Sequence, residues 1–74
     1  MNKKKIIMMG IRKITMLFDG MKCDVSIYNR LTKETVSYLI DACGVVREKP
    51  NQTSKVDYKC FRRAYNTWKK EVTA

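Results

Sequence analysis

The chain has 74 residues, 45% of them hydrophobic and 31% charged, with sixteen Lys and Arg against seven Asp and Glu and a formal net charge of +9. That length makes one domain, and the composition is too apolar for a disordered chain. A chain so short buries only about 60% of its unfolded surface, so help from a homodimer, a nucleic acid or a protein partner is in keeping with its size.

The charge is uneven. Residues 1–13 hold Lys3, Lys4, Lys5, Arg12 and Lys13 with no acid, residues 14–50 balance, and residues 51–74 carry six bases and two acids. Two basic ends around a neutral middle point to a polyanionic partner, with nucleic acid ahead of an anionic membrane surface. The cysteines Cys23, Cys43 and Cys60 are far apart, form no CxxC and have no histidine beside them. A zinc site is therefore not expected, and small buried thiols in a reducing compartment are. The apolar run IIMMGI at residues 6–11 is too short for a signal peptide or a bilayer span. A cytoplasmic protein without membrane attachment is expected.

Residues 1–10 read as a basic lead-in, with a candidate edge strand at 4–9, ahead of a single small domain over 11–74. The runs IRKITMLF and MKCDVSIY flank Asp19-Gly20, the favoured pair for a type I′ hairpin turn. Folding on that pair sets Phe18 opposite Met21, Met16 opposite Cys23, Ile14 opposite Val25 and Arg12 opposite Ile27. Apart from Arg12 that face is apolar, and the other face is mainly polar.

Thr32 and Gly44 suit the N-cap and C′ positions of a helix over Lys33–Cys43, with Val36, Leu39, Ile40 and Cys43 on one face. Tyr38 falls on its polar side. REKPNQTS is then a polar loop. Ser54 and Asp57 open a second helix over 54–72 in the style of a capping box. On a wheel of 100° per residue, Tyr58, Phe61, Ala64, Tyr65, Trp68 and Val72 share an arc of roughly 120°. Lys55, Lys59, Arg62, Arg63, Asn66, Lys69 and Lys70 fill a neighbouring arc that holds no acid.

The fold class that follows is α+β in β-β-α-α order, an N-terminal hairpin, or three strands, packed against two C-terminal helices. Its expected core is Ile14, Met16, Phe18, Val25, Ile27, Val36, Leu39, Ile40, Phe61, Tyr65 and Trp68. The aromatic arc is then structural, and function falls to the cationic arc.

An enzyme is not expected. The three glycines are isolated, no carboxylates form an evident acid–base pair, and a cysteine nucleophile has only lysines for a base. No cofactor and no metal are implied. The cationic arc can follow phosphates over roughly 25 Å. Arg62 and Arg63 can bind phosphate or guanine bidentately, and Lys3, Lys4 and Lys5 can act as an arm. This favours a small basic regulatory or accessory protein that binds nucleic acid, DNA ahead of RNA. The alternative is a protein-binding modulator, of the kind with which phages and mobile elements block a host nucleic-acid-handling enzyme. Tyr28 and Tyr38 are its candidate interface anchors.

Overall fold

A computed structural model describes residues 3–73, with side chains through residue 71. Five strands come first, β1 (Lys3–Met9), β2 (Arg12–Phe18), β3 (Lys22–Asn29), β4 (Thr35–Asp41) and β5 (Val46–Glu48), and one helix follows, α1 (Lys55–Thr73). The strands form one antiparallel sheet in the order β1-β2-β3-β4-β5, each paired with its sequence neighbour. The fold is thus α+β, a five-stranded antiparallel sheet with a single C-terminal helix. The helix lies on one face of the sheet, against β2, β3 and β4.

The candidate strand at 4–9 forms, and it begins one residue earlier. β1 pairs with β2 from Lys3↔Phe18 to Met9↔Arg12, so residues 3–9 belong to the sheet and are no separate lead-in. Met1 and Asn2 lie outside the described residues.

The β2–β3 hairpin keeps its predicted faces in a different register. Phe18 pairs with Cys23, Met16 with Val25 and Ile14 with Ile27. The turn centres on Gly20-Met21, closed by the Asp19 N–H donating to the Lys22 carbonyl at 3.2 Å. The Asp19 carboxylate also accepts from the Met21 and Lys22 amides at 3.0 and 2.9 Å. Gly20 has φ +88°, whereas Met21 has no positive φ, which suits a II′ turn and not the expected I′. The slip is by two residues, and a slip of even parity leaves every side chain on its own face.

The helix expected over Lys33–Cys43 is strand β4. Val36, Tyr38 and Ile40 alternate toward α1, with Tyr38 and Ile40 buried. Leu39, placed in the core by the helical wheel, is half-buried on the opposite face. The residues permitted both readings, because Leu39 and Ile40 are adjacent and satisfy either period. Thr35, Val36, Tyr38 and Ile40 are strand formers, and the β3 edge needs a backbone partner. The supposed cap residues serve loops instead. Asn29 Oδ1 accepts from the Leu31 and Thr32 amides, Lys33 adopts φ 62°, and the Asn29 amide bonds the Glu34 carbonyl at 2.8 Å. Gly44 has the left-handed backbone expected of a C′ residue, φ +84°, but it sits in the β4–β5 turn.

The core runs between sheet and helix. Ile14, Met16, Phe18, Cys23, Val25, Ile27, Tyr38 and Ile40 meet Cys60, Phe61, Ala64 and Trp68, while Ile7, Met9, Val36, Val46 and Tyr65 pack at its margin. Phe61 stacks on Tyr38 with centroids 4.1 Å apart, and Trp68 meets Phe18 at 5.4 Å. Each such ring contributes about 1.5–3 kcal/mol by burial. Two thiols are buried as expected, Cys23 and Cys60, and Cys43 is exposed.

Arg12, the exception on the apolar face, pairs its Nε with Asp57 Oδ1 at 2.7 Å, both side chains being largely covered. Asp57 is therefore not the second half of a capping box. Only the first half forms, with the Asp57 amide donating to Ser54 Oγ at 3.1 Å. The carboxylate spans instead to β2 and ties the start of α1 to the sheet.

Asp41 organises the β4–β5 turn. Its Oδ1 accepts from the Cys43 and Val45 amides at 2.9 Å each, and its Oδ2 from Arg47 Nε at 2.8 Å. The turn docks on α1 by two bonds from aromatic residues, Tyr65 Oη to the Gly44 carbonyl at 2.7 Å and Trp68 Nε1 to the Asp41 carbonyl at 3.0 Å.

A Cβ on Gly44 would stand 3.0 Å from Tyr65 Oη in a backbone region unsuited to alanine, whereas one on Gly20 would meet nothing within 4 Å. Gly44→Ala is accordingly expected to cost about 1–3 kcal/mol in urea unfolding, and more than Gly20→Ala. The Val45 amide first, then the Arg47 pair, holds the Asp41 carboxyl below the ordinary carboxylate range. That contribution is present above about pH 4 and is lost as pH falls below it. Asp41→Asn should lower the melting temperature near neutral pH and remove part of the acid sensitivity, as thermal melts across that range would show.

Candidate nucleic-acid interface

The helix, which carries six of the sixteen cationic side chains, is held by its opposite face. Cys60, Phe61, Ala64 and Trp68 are buried, at helical spacing, while Lys55, Lys59, Arg62, Arg63, Asn66, Lys69 and Lys70 are exposed. All seven residues of the expected cationic arc therefore lie on the surface. Packing fixes the helix against rolling, and the bases stay on its outward side.

The residues of the arc border three separate hollows. Around the first turn, Lys55 and Lys59 border a shallow apolar depression with Thr53, Ser54 and Tyr58. On the β5 flank, Arg62 and Lys69 border a hollow with Gly44, Val46 and Tyr65. The Lys69 ammonium lies 5.7 Å from the centre of the Tyr65 ring, which holds it by a cation–π contact. On the β1 flank, Arg63, Asn66, Thr67 and Lys70 face Lys5 and Ile7 across a groove of roughly 350 Å³. Thr67 Oγ1 is tied to the Arg63 carbonyl at 3.0 Å.

This third groove joins residues from the two basic ends of the chain, and among the described residues no acid lines it. Its chemistry suits an anionic backbone: two cations from α1, one from β1, and the amide of Asn66 as a neutral donor and acceptor. Strand alternation decides which N-terminal lysine takes part. Lys5 and Ile7 point to the helix side of β1, and Lys4 points to the open side. Lys3 shares the parity of Lys5 but does not line the groove, so the three lysines are no common arm.

The two tyrosines proposed as interface anchors differ. Tyr38 is 5% exposed, stacked on Phe61, with its hydroxyl donating to Thr53 Oγ1 at 3.0 Å. It is a core residue and offers no surface. Tyr28 is half-buried on β3, on the open face of the sheet. Ile7 and Thr67 were missing from the sequence reading of the site. The pairing of Lys5 with Ile7 was available from a period of two, but nothing in the charge pattern marks Thr67.

Among the described residues no three His, Cys, Asp or Glu side chains come together as a metal would require. No helix among them is long and apolar enough to cross a membrane. Comparison with protein-family models, with curated proteins and with solved structures finds no match.

The thiols differ in reactivity. Burial, with Asp24 adding to it, pushes Cys23 up to about 12, and burial also raises Cys60. Both are held as neutral thiols at physiological pH. A chromogenic thiol reagent is expected to modify Cys43 in the native protein, and Cys23 and Cys60 only after denaturant is added. Equal rates for all three would refute this packing.

Proposed function

We propose that the protein is a small nucleic-acid-binding accessory or regulatory protein, without catalytic activity, whose binding surface is the outer side of α1 together with Lys5 of β1. The observation that carries this reading is the groove in which Lys5 meets Arg63, Asn66 and Lys70, with no acid among its described lining residues. Bringing both basic ends of the chain to one surface concentrates positive potential where a phosphate backbone can lie. Arg62 and Arg63 stand exposed for bidentate contacts, and Asn66 between them and Lys70 is placed for a base edge or a phosphate. Duplex DNA is the first ligand to test, with RNA of the same sequence beside it.

Binding measured by fluorescence anisotropy should weaken steeply as salt rises. The triple variant Lys5→Gln, Arg63→Gln and Lys70→Gln is expected to flatten the log–log salt slope by about 2–3, close to 0.9 for each phosphate contact removed. Lys22→Gln with Lys33→Gln, away from the groove, should change it little. No binding at low salt, or an unaltered slope in the triple variant, would refute the reading.

A second reading, a protein-binding modulator, draws on the open face of the sheet. Ile6, Met8 and Leu17 are 45%, 51% and 48% exposed there. A partner retained at physiological salt after nuclease treatment would favour that reading, and loss on nuclease treatment would favour the first.

A further inference from the structure

Strand β1 ends the sheet, and among the described residues nothing pairs with its outer edge. We propose that this edge pairs with the same edge of a second copy, antiparallel about Ile6. The pairing makes a ten-stranded sheet in which the two Lys5–Arg63–Lys70 grooves run together. It rests on the nucleic-acid reading only for its purpose, since the pairing follows from the strand itself.

The backbone decides which groups are available. The Asp19 amide bonds the Lys22 carbonyl and the Arg30 amide bonds the Ile11 carbonyl at 2.9 Å, so the odd-numbered residues of β2 bond to β3. Its even-numbered residues Arg12, Ile14, Met16 and Phe18 therefore bond to β1, where their partners are Met9, Ile7, Lys5 and Lys3. The amides and carbonyls of Lys4, Ile6 and Met8 are left pointing outward. A symmetric antiparallel pair centred on Ile6 joins Ile6 to its copy and Lys4 to Met8 of the other chain. Each of the outward groups is then used.

Charge selects the direction and the register. Lysines on an edge strand ordinarily deter strand addition. Here all three fall in the first half of β1, and Met8 and Met9 in the second. A parallel pair would stack lysine on lysine, and centring on Lys5 would set the two Lys5 side chains face to face. Centring on Ile6 sets Lys3, Lys4 and Lys5 opposite Met9, Met8 and Ile7. The same pairing covers part of Ile6 and Met8, both exposed in the single chain. Assembly stops at two copies, because the remaining edges are the three-residue β5 strands, each followed two residues later by Pro50.

Symmetry then fixes where the helices go. Residues opposed across an antiparallel pair share a face, so a two-fold pair keeps both helices on one side of the sheet. Lys5 of each copy stands diagonal to the other, roughly 8 Å away by strand spacing and rise. Both grooves open at the axis on that side. Two such lysines repel in the free protein, so salt and a bound polyanion each favour the pair.

Sedimentation of the full chain, free and with a short DNA duplex, at low and high salt, tests this. A dimer is expected, tighter at high salt when free and tighter with duplex at low salt. Ile6→Pro removes an outward amide that β2 does not use, and should give a folded monomer by circular dichroism. Met8→Glu, which faces Lys4 of the other copy, should tighten the dimer roughly twofold to tenfold. Thr35→Glu, with the same charge change on β4, should tighten it less. A chain that is monomeric under every condition, a folded Ile6→Pro dimer, or a Met8→Glu dimer no tighter than Thr35→Glu would overturn the proposal. A monomer that binds duplex sinks the pairing and leaves the function. A dimer that binds none leaves the pairing and sinks the function.

Discussion

Everything in this molecule depends on one buried contact, the face of α1 that carries Phe61, Ala64 and Trp68 set against the apolar face of β2, β3 and β4. The sheet is a meander, joined by tight turns, and it cannot cover its own apolar side. One helix has to do so. That explains why α1 is long and why its apolar side is built from rings, since few other residues bury as much area. Trp68 and Tyr65 add hydrogen bonds to the β4–β5 turn, so the same residues that close the core also hold the far corner of the sheet. The Arg12–Asp57 pair holds the start of the helix.

The contact also has a consequence for charge. A helix with one side committed to a core can place bases only on the remainder, and here that remainder overlooks both flanks of the sheet. Arg63 and Lys70 fall toward β1, where Lys5 already stands. Arg62 and Lys69 fall toward the β4–β5 turn, where Tyr65 braces Lys69. The cationic surface is thus divided by the geometry of packing, and among the described residues the β1 side draws on both ends of the chain. The proposed function and the proposed pairing meet on that side, because the open edge of β1 borders the groove.

Much of the fold was legible in the residues. The α1 pattern is strong because its two arcs differ in both polarity and charge, and the helix starts within a residue of Ser54, as read. The β2–β3 hairpin was legible from Asp19-Gly20 and from alternation, and its slip of two residues left the faces intact. Strand β4 was misread because Val36, Leu39 and Ile40 fit a helical face, while Tyr38, the residue that separates the two readings, looked polar enough to stay outside. Its hydroxyl is satisfied by Thr53 in a loop, a partner fifteen residues away. Of the candidate site, the seven α1 positions were legible from the wheel. The partition of those positions was not, since it depends on which strands flank the helix.

The local sequence by itself determined α1, its aromatic and cationic sides, the tight turn near Gly20, the left-handed position at Gly44 and the inward faces of β2 and β3. These follow from periodicity and backbone sterics, which act over a few residues. Only the tertiary structure decided that residues 35–41 form a strand, that Tyr38 is core, that Asp57 reaches Arg12, and that Lys5 rather than Lys4 joins Arg63 and Lys70. Each of these turns on a partner distant in the chain. An unpaired sheet edge, a buried hydroxyl or a lone charge on an apolar face is resolved by whatever the fold brings to it, and no window of neighbouring residues contains that information.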